Sequence, residues 1–166
     1  MGRILSCALA IAIGHSLALA ETDVISPLRF LIGEWQAIDT PAGETGAFTF
    51  KLAVQDHIIV RTNEAVYAAT AERPASRHDD LMVIYSEHGS LKADYFDNEG
   101  HAIRYSVQPR DGNTVVFLSD ANPGEPRYRL TYTAEVNGIL LGSFEIASPP
   151  SLDTFKSYLS WKARKR

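Results

Sequence analysis

The sequence predicts an all-β chain: a single antiparallel up-and-down barrel of about ten strands, with one short N-terminal helix near its closed end. Three observations carry this. From Phe48 onward the apolar residues recur with period two. The strand-like runs are separated by short turns such as "PRDGN" and Asn137-Gly138. Only Ser26 to Ile32 carries helix signals. A meander of this length has two exposed edges, and closure into a barrel removes them.

Residues 1–20 read as a cleaved signal peptide. Arg3 supplies the positive end, "ILSCALAIAIGHSLALA" the apolar run, and Ala18-Leu19-Ala20 the small-x-small pattern before Glu21. The apolar run is interrupted at His15 and Ser16, short of the roughly 20 apolar residues of a spanning helix. Residues 21–166 are then one barrel domain with no membrane span, expected in the periplasm or outside the cell. The single cysteine, Cys7, falls in the leader, so the mature chain has neither disulfides nor thiolate ligands. With Arg3 gone, 15 basic residues face 20 acidic ones, a net charge of −5. An acidic domain is a poor partner for nucleic acid, whose affinity comes mostly from phosphate neutralisation. The basic cluster Lys162, Arg164, Lys165 and Arg166 reads as a solvated tail.

Ser26 suits an N-cap, Pro27 the first helical position and Gly33 the helix end. "FTFKLAV" alternates Phe48, Phe50, Leu52 and Val54 against Thr49, Lys51 and Ala53. "IIVRTNEAVY" follows the turn-like "QDH". The stretch Ala68–Asp80 is rich in small, polar and proline residues and reads as a long surface loop, a candidate lid. Strands resume at "LMVIYSE", "LKADYFD", "HAIRYSV" and "TVVFLSD". "RYRLTYTAEV", "ILLGSFEIA" and "TFKSYLSWKA" complete the set. One hairpin is specific enough to fix its register. A three-residue loop Asn98-Glu99-Gly100, with Gly100 left-handed, sets Tyr95 opposite Ile103 and Ala93 opposite Tyr105 on an apolar face. Asp94 then faces Arg104 on the other.

The arrangement of a helical turn, Gly-x-Trp at the first strand and about ten meandering strands resembles the calycin group of lipocalins, fatty-acid-binding proteins and nitrobindin-like barrels. "FLIGEWQA" and "DYFDNEGHAIRYSV" resemble secreted bacterial lipocalin-like domains of unknown function. The resemblance implies a structural plug in Gly33 and Trp35, covered by a basic residue late in the sheet, Arg129 or Arg164. The lipocalin Thr-Asp-Tyr turn has no equivalent here. No histidine follows Ile146, so the haem site of nitrobindin-like barrels does not carry over, and no cofactor or metal is expected.

A barrel wider than eight strands leaves interior space unless bulky groups fill it. The expected inward set is Phe50, Leu52, Tyr95, Ile103, Tyr105, Phe117 and Phe144, with His101 at the rim. Apolar walls with a few hydroxyls suit a hydrophobic or amphipathic small molecule, held without catalysis. The same composition also suits a filled core in a structural envelope module. A third reading is an enzyme of isomerase, cyclase or hydrolase type, using His101 and the tyrosines. His101 is the candidate base, but no nucleophile elbow, phosphate loop or paired metal-ligand spacing accompanies it. Arg127 and Arg129 share one face of their strand, anchors for a carboxylate if that face turns inward and solvated if it does not. His57, His88 and the His78-Asp79-Asp80 run read as surface groups.

Overall fold

The computed structural model describes residues 23–71 and 73–166, so the predicted leader lies outside the described residues. A 3₁₀ helix, Ser26–Leu31, precedes ten strands. These are β1 (Gly33–Ile38), β2 (Glu44–Ala53), β3 (Ile58–Tyr67), β4 (Ser76–Glu87), β5 (Ser90–Asp97), β6 (Ala102–Arg110), β7 (Thr114–Ser119), β8 (Arg127–Ala134), β9 (Ile139–Ala147) and β10 (Lys156–Lys165). Each pairs antiparallel with its sequence neighbours, and β10 returns to β1 through Ala37 opposite Ala163. The barrel is closed and every strand has two partners.

The β5–β6 register is the one set by the loop and the alternation: Ala93 faces Tyr105, Tyr95 faces Ile103 and Asp94 faces Arg104. Gly100 has φ +93°, and the Asp94–Arg104 pair closes at 3.3 Å on the outer surface.

Two local expectations fail. Ser26 is the first helical residue rather than the cap; Ile25 takes the cap position and no side chain bonds the helix start. In the segment read as a lid loop, Ala68–Asp80, the described residues are outside strands only before Ser76. Residues Ser76 to Asp80 extend β4 and pair with Tyr67 to Asn63. The polar run survives as strand because both of its faces find partners. Outward, Arg77 bonds Asp79 at 2.9 Å and Glu64 at 2.8 Å. Inward, His78 and Asp80 meet groups on neighbouring strands. Cross-strand pairing outweighs local turn composition.

Candidate functional site in the barrel interior

The interior is built in layers, beginning at the end where the chain enters. Ile25, Leu28 and Leu31 of the helical segment are buried in the main core. Trp35 of β1 ties this segment to the barrel: its Nε1 donates to the Leu31 carbonyl at 2.7 Å. Its ring stacks on Phe48 of β2, 6.4 Å between centroids. The basic residue over Trp35 is Lys165, with Nζ 5.6 Å from the ring centroid. Neither residue expected from the resemblance takes that place. Arg129 lies outside, bidentate to Glu145 at 2.6 and 2.8 Å, and Arg164 is exposed. Gly33 has φ +142°, and a Cβ there would sit 2.3 Å from the Lys165 Cε. The glycine makes room for that lysine, rather than for the helical turn.

Above this floor the core is aromatic. Phe50, Tyr105, Phe117 and Tyr132 are at most 1% exposed. They join Phe48 and Tyr95 in a continuous chain of edge-to-face contacts, 5.5–6.5 Å apart. Tilted rings at this spacing place a positive edge on a negative face. Trp161 of β10 packs on Tyr132 from the far side, at 5.8 Å. It fits because its neighbour on β9 is Gly142. Ile59, Met82, Ile84, Val115 and Leu140 complete a dense lower and middle interior. Of the open pocket and the filled core that the sequence left as alternatives, this part of the interior is the filled core.

One charged residue points into the aromatic layer. Arg61 of β3 is 5% exposed, with its guanidinium carbon 5.6 Å from the Phe48 centroid and 6.0 Å from Phe50. Its Nη1 donates to Asp80 of β4 in a short contact. The other Asp80 oxygen accepts from Asn63 at 2.9 Å and lies 3.3 Å from His78 Nε2. Burial favours loss of the Arg61 proton, but neighbouring Tyr132, Asp80 and Tyr95 outweigh it and leave the guanidinium more firmly charged than usual. The Arg61 guanidinium and the Tyr132 hydroxyl are both buried and interact with each other, although neither Nε nor the hydroxyl meets a partner in full hydrogen-bond geometry. Burial pushes the Tyr132 hydroxyl up to about 12, so it remains a neutral donor.

The end away from the helix is less covered. Tyr95, Ile103, Tyr128, Phe144 and Trp161 are each half-buried and pack against the core from above. Tyr128 and Phe144 stack at 5.8 Å. A polar chain follows one side of this mouth. The Tyr95 hydroxyl donates to Asp97 at 3.2 Å and lies 3.1 Å from His78 Nε2, while His78 Nδ1 faces Glu99 at 3.0 Å. Burial, then the charges of Asp80 and Asp97, hold the Tyr95 hydroxyl far above its ordinary value. Burial, against the opposing charge of Arg61, raises Tyr105 in the same direction.

His101 stands outside this chain, exposed at the β5–β6 turn with Nδ1 2.8 Å from Asp97. Asp97 also accepts the backbone N–H groups of Glu99 and His101. Burial favours its protonation, but the bonds from His101 and Glu99 outweigh burial and hold it below the usual carboxylate range. The donor atoms of His78, Asp97 and Glu99 lie within 4.8 Å of one another, a three-ligand set for a metal ion. Asp97 is already committed to four hydrogen bonds, so its part in that set is occupied by the turn.

The structure therefore spreads the sequence-predicted residues over three environments. Phe50, Tyr105 and Phe117 are in the filled layer, Tyr95, Ile103 and Phe144 line the mouth, and His101 is on the outer rim. Arg127 and Arg129 face outward, onto Asp153 and Glu145. Arg61, Asp80 and Tyr132 are the residues that sequence reasoning missed. A signal existed. Counting by twos from Ile59 reaches Arg61, and counting back by twos from Ile84 through Met82 reaches Asp80. Neither a protein-family model nor a curated protein sequence matches the chain.

Proposed function

We propose that the chain is an exported, calycin-like carrier that takes a hydrophobic or amphipathic small molecule into the open end of its barrel, without catalysis. One observation carries the reading. Tyr95, Ile103, Tyr128, Phe144 and Trp161 are half-buried apolar side chains packed against a core that also holds a buried polar pair, Arg61 with Asp80. Concave apolar surface with a few placed polar atoms is the usual form of a small-molecule site. The leader-like residues 1–20 support export.

Titration with the neutral dye N-phenylnaphthylamine tests the carrier reading. We expect saturable, blue-shifted fluorescence that is lost in Phe144→Asp while the thermal transition persists. A dye signal that never saturates, or that Phe144→Asp leaves unchanged, overturns it. Export is checked separately by mass spectrometry of the expressed chain, which should lack residues 1–20.

A further inference from the structure

Strand β1 closes the barrel along only part of its neighbour. It pairs with β10 through Lys162, Ala163, Arg164 and Lys165, and ends at Ile38. Toward the mouth, residues 156–161 of β10 pair with β9 alone among the described residues. Five of them in a row, 156–160, are exposed, with Leu159 at 45% and Tyr158 at 73%. Strand β2 borders the same gap, but its edge is capped. Glu44 N–H donates to the Pro41 carbonyl at 3.0 Å, and the Thr40 hydroxyl donates to the Glu44 carbonyl at 2.8 Å. Gln36 Nε2 donates to the Gly46 carbonyl at 2.8 Å. No such cap reaches residues 156–161 of β10 among the described residues.

The direction of the open backbone groups can be counted. Arg166 N–H donates to the Glu34 carbonyl of β1 at 2.9 Å. Backbone groups of successive strand residues alternate between the two edges, so Arg164, Lys162 and Ser160 turn theirs to the same side. The last residue of β1, Ile38, stands opposite Lys162. Ser160 is therefore the first residue whose N–H and C=O face an open edge.

An open strand edge is a template for one more strand. Charge narrows the choice of partner. Lys156 and Lys162 flank the stretch; Lys162 reaches the exposed Asp39 at 3.4 Å, and Lys156 has no acidic partner among the described residues. A second copy docking antiparallel along residues 156–162 would set Lys156 against Lys162 at both ends. Like charges directly opposite each other oppose pairing. An extended segment with acidic residues at its ends avoids that repulsion, and its apolar side chains would lie beside Tyr158 and Leu159.

We infer that the mouth-side edge of β10 is a docking site for an extended, acidic-flanked segment of another protein, added as a strand beside residues 156–161. The site lies on the barrel wall and is independent of what the interior carries.

The test titrates a fluorescein-labelled peptide, Glu-Thr-Val-Thr-Val-Thr-Glu, with the full chain and follows anisotropy. Saturable binding is expected, at least about fivefold tighter than for the same peptide with lysine at both ends. Ser160→Pro removes the open-edge N–H and leaves the ladder to β9 in place, a substitution that edge strands tolerate. It should weaken the acidic peptide at least about fivefold, the loss of one hydrogen bond, with little change in melting temperature. Lys156→Glu should weaken the acidic peptide roughly threefold and favour the lysine-ended one.

Absence of saturable binding, equal binding of the two peptides, or full affinity in Ser160→Pro overturns the proposal. If Ser160→Pro does not fold, an unchanged peptide preference in Lys156→Glu overturns it instead. A concentration-dependent dimer in sedimentation that Ser160→Pro abolishes gives the edge to a second copy and also overturns it. None of these outcomes touches the carrier reading, which stands or falls on its own dye titration.

Discussion

Removing the carboxylate of Asp80 strands a cation. Arg61 is buried among aromatic rings and Asp80 is its anionic partner at hydrogen-bond range. Breaking a buried pair from one side costs about 3–5 kcal/mol, whereas replacing both members by apolar groups of similar volume is often neutral or stabilising. Asp80→Asn should therefore lower the urea midpoint strongly, and Arg61→Met with Asp80→Leu should recover most of the loss. If Asp80→Asn unfolds like the parent, the pair does not hold the core in the way described. At this scale the sequence was only partly legible. Alternation put Asp80 on one face with Met82 and Ile84, but "RHDD" reads as a polar loop until its partners on β3 are known. Tyr132 was overlooked for a related reason: its strand "RYRLTYT" carries charge on one face and hydroxyls on the other. Periodicity alone does not say that Arg129 is held outside by Glu145.

Strand β9 shows how one element accommodates its neighbour. Gly142 stands opposite Tyr132 on β8 and opposite Trp161 on β10. A Cβ there would come within 2.1–2.2 Å of the indole ring. Gly142→Ala must push Trp161 out of its seat on Tyr132, and overpacking of this kind costs about 1–3 kcal/mol. The expected result is lower thermal stability with a red-shifted tryptophan emission. Unchanged emission and stability would show that the indole moves freely. The β5–β6 hairpin was the most legible element because Gly100 and the alternation agree on one register. Trp161 was less so. Its place depends on a glycine nineteen positions away in sequence, a pairing that no local pattern reveals.

For the whole molecule, closure is the property the sequence conveyed best. Ten alternating strands joined by short turns admit few arrangements without edges. Filling of the lumen was not conveyed, because it depends on how Phe50, Tyr105, Phe117 and Tyr132 meet across four different strands. Global stability should also carry an acid limb. The Arg129 hydrogen bond holds Glu145 low against the opposing effect of burial, and Asp97 is held low by its turn. A carboxylate with a lower value folded than unfolded stabilises above its unfolded value and loses that contribution as pH falls through its folded one. Urea midpoints should be insensitive to these two groups down to about pH 5 and decline below about pH 4, where unfolded carboxylates bind protons first. Asp97→Asn should make that decline shallower. An identical acid limb in the variant would remove Asp97 from this account.

The Gly33–Lys165 contact brings the first strand against the last. Strand β1 begins beside the final residues of β10, and Arg166 N–H donates to the Glu34 carbonyl at 2.9 Å. The start of β1 and the end of β10 thus lie together at one end of the barrel. A tether or solid support joined after β10 therefore grips the barrel at the end where β1 begins, and leaves the β5–β6 turn at the opposite end unobstructed.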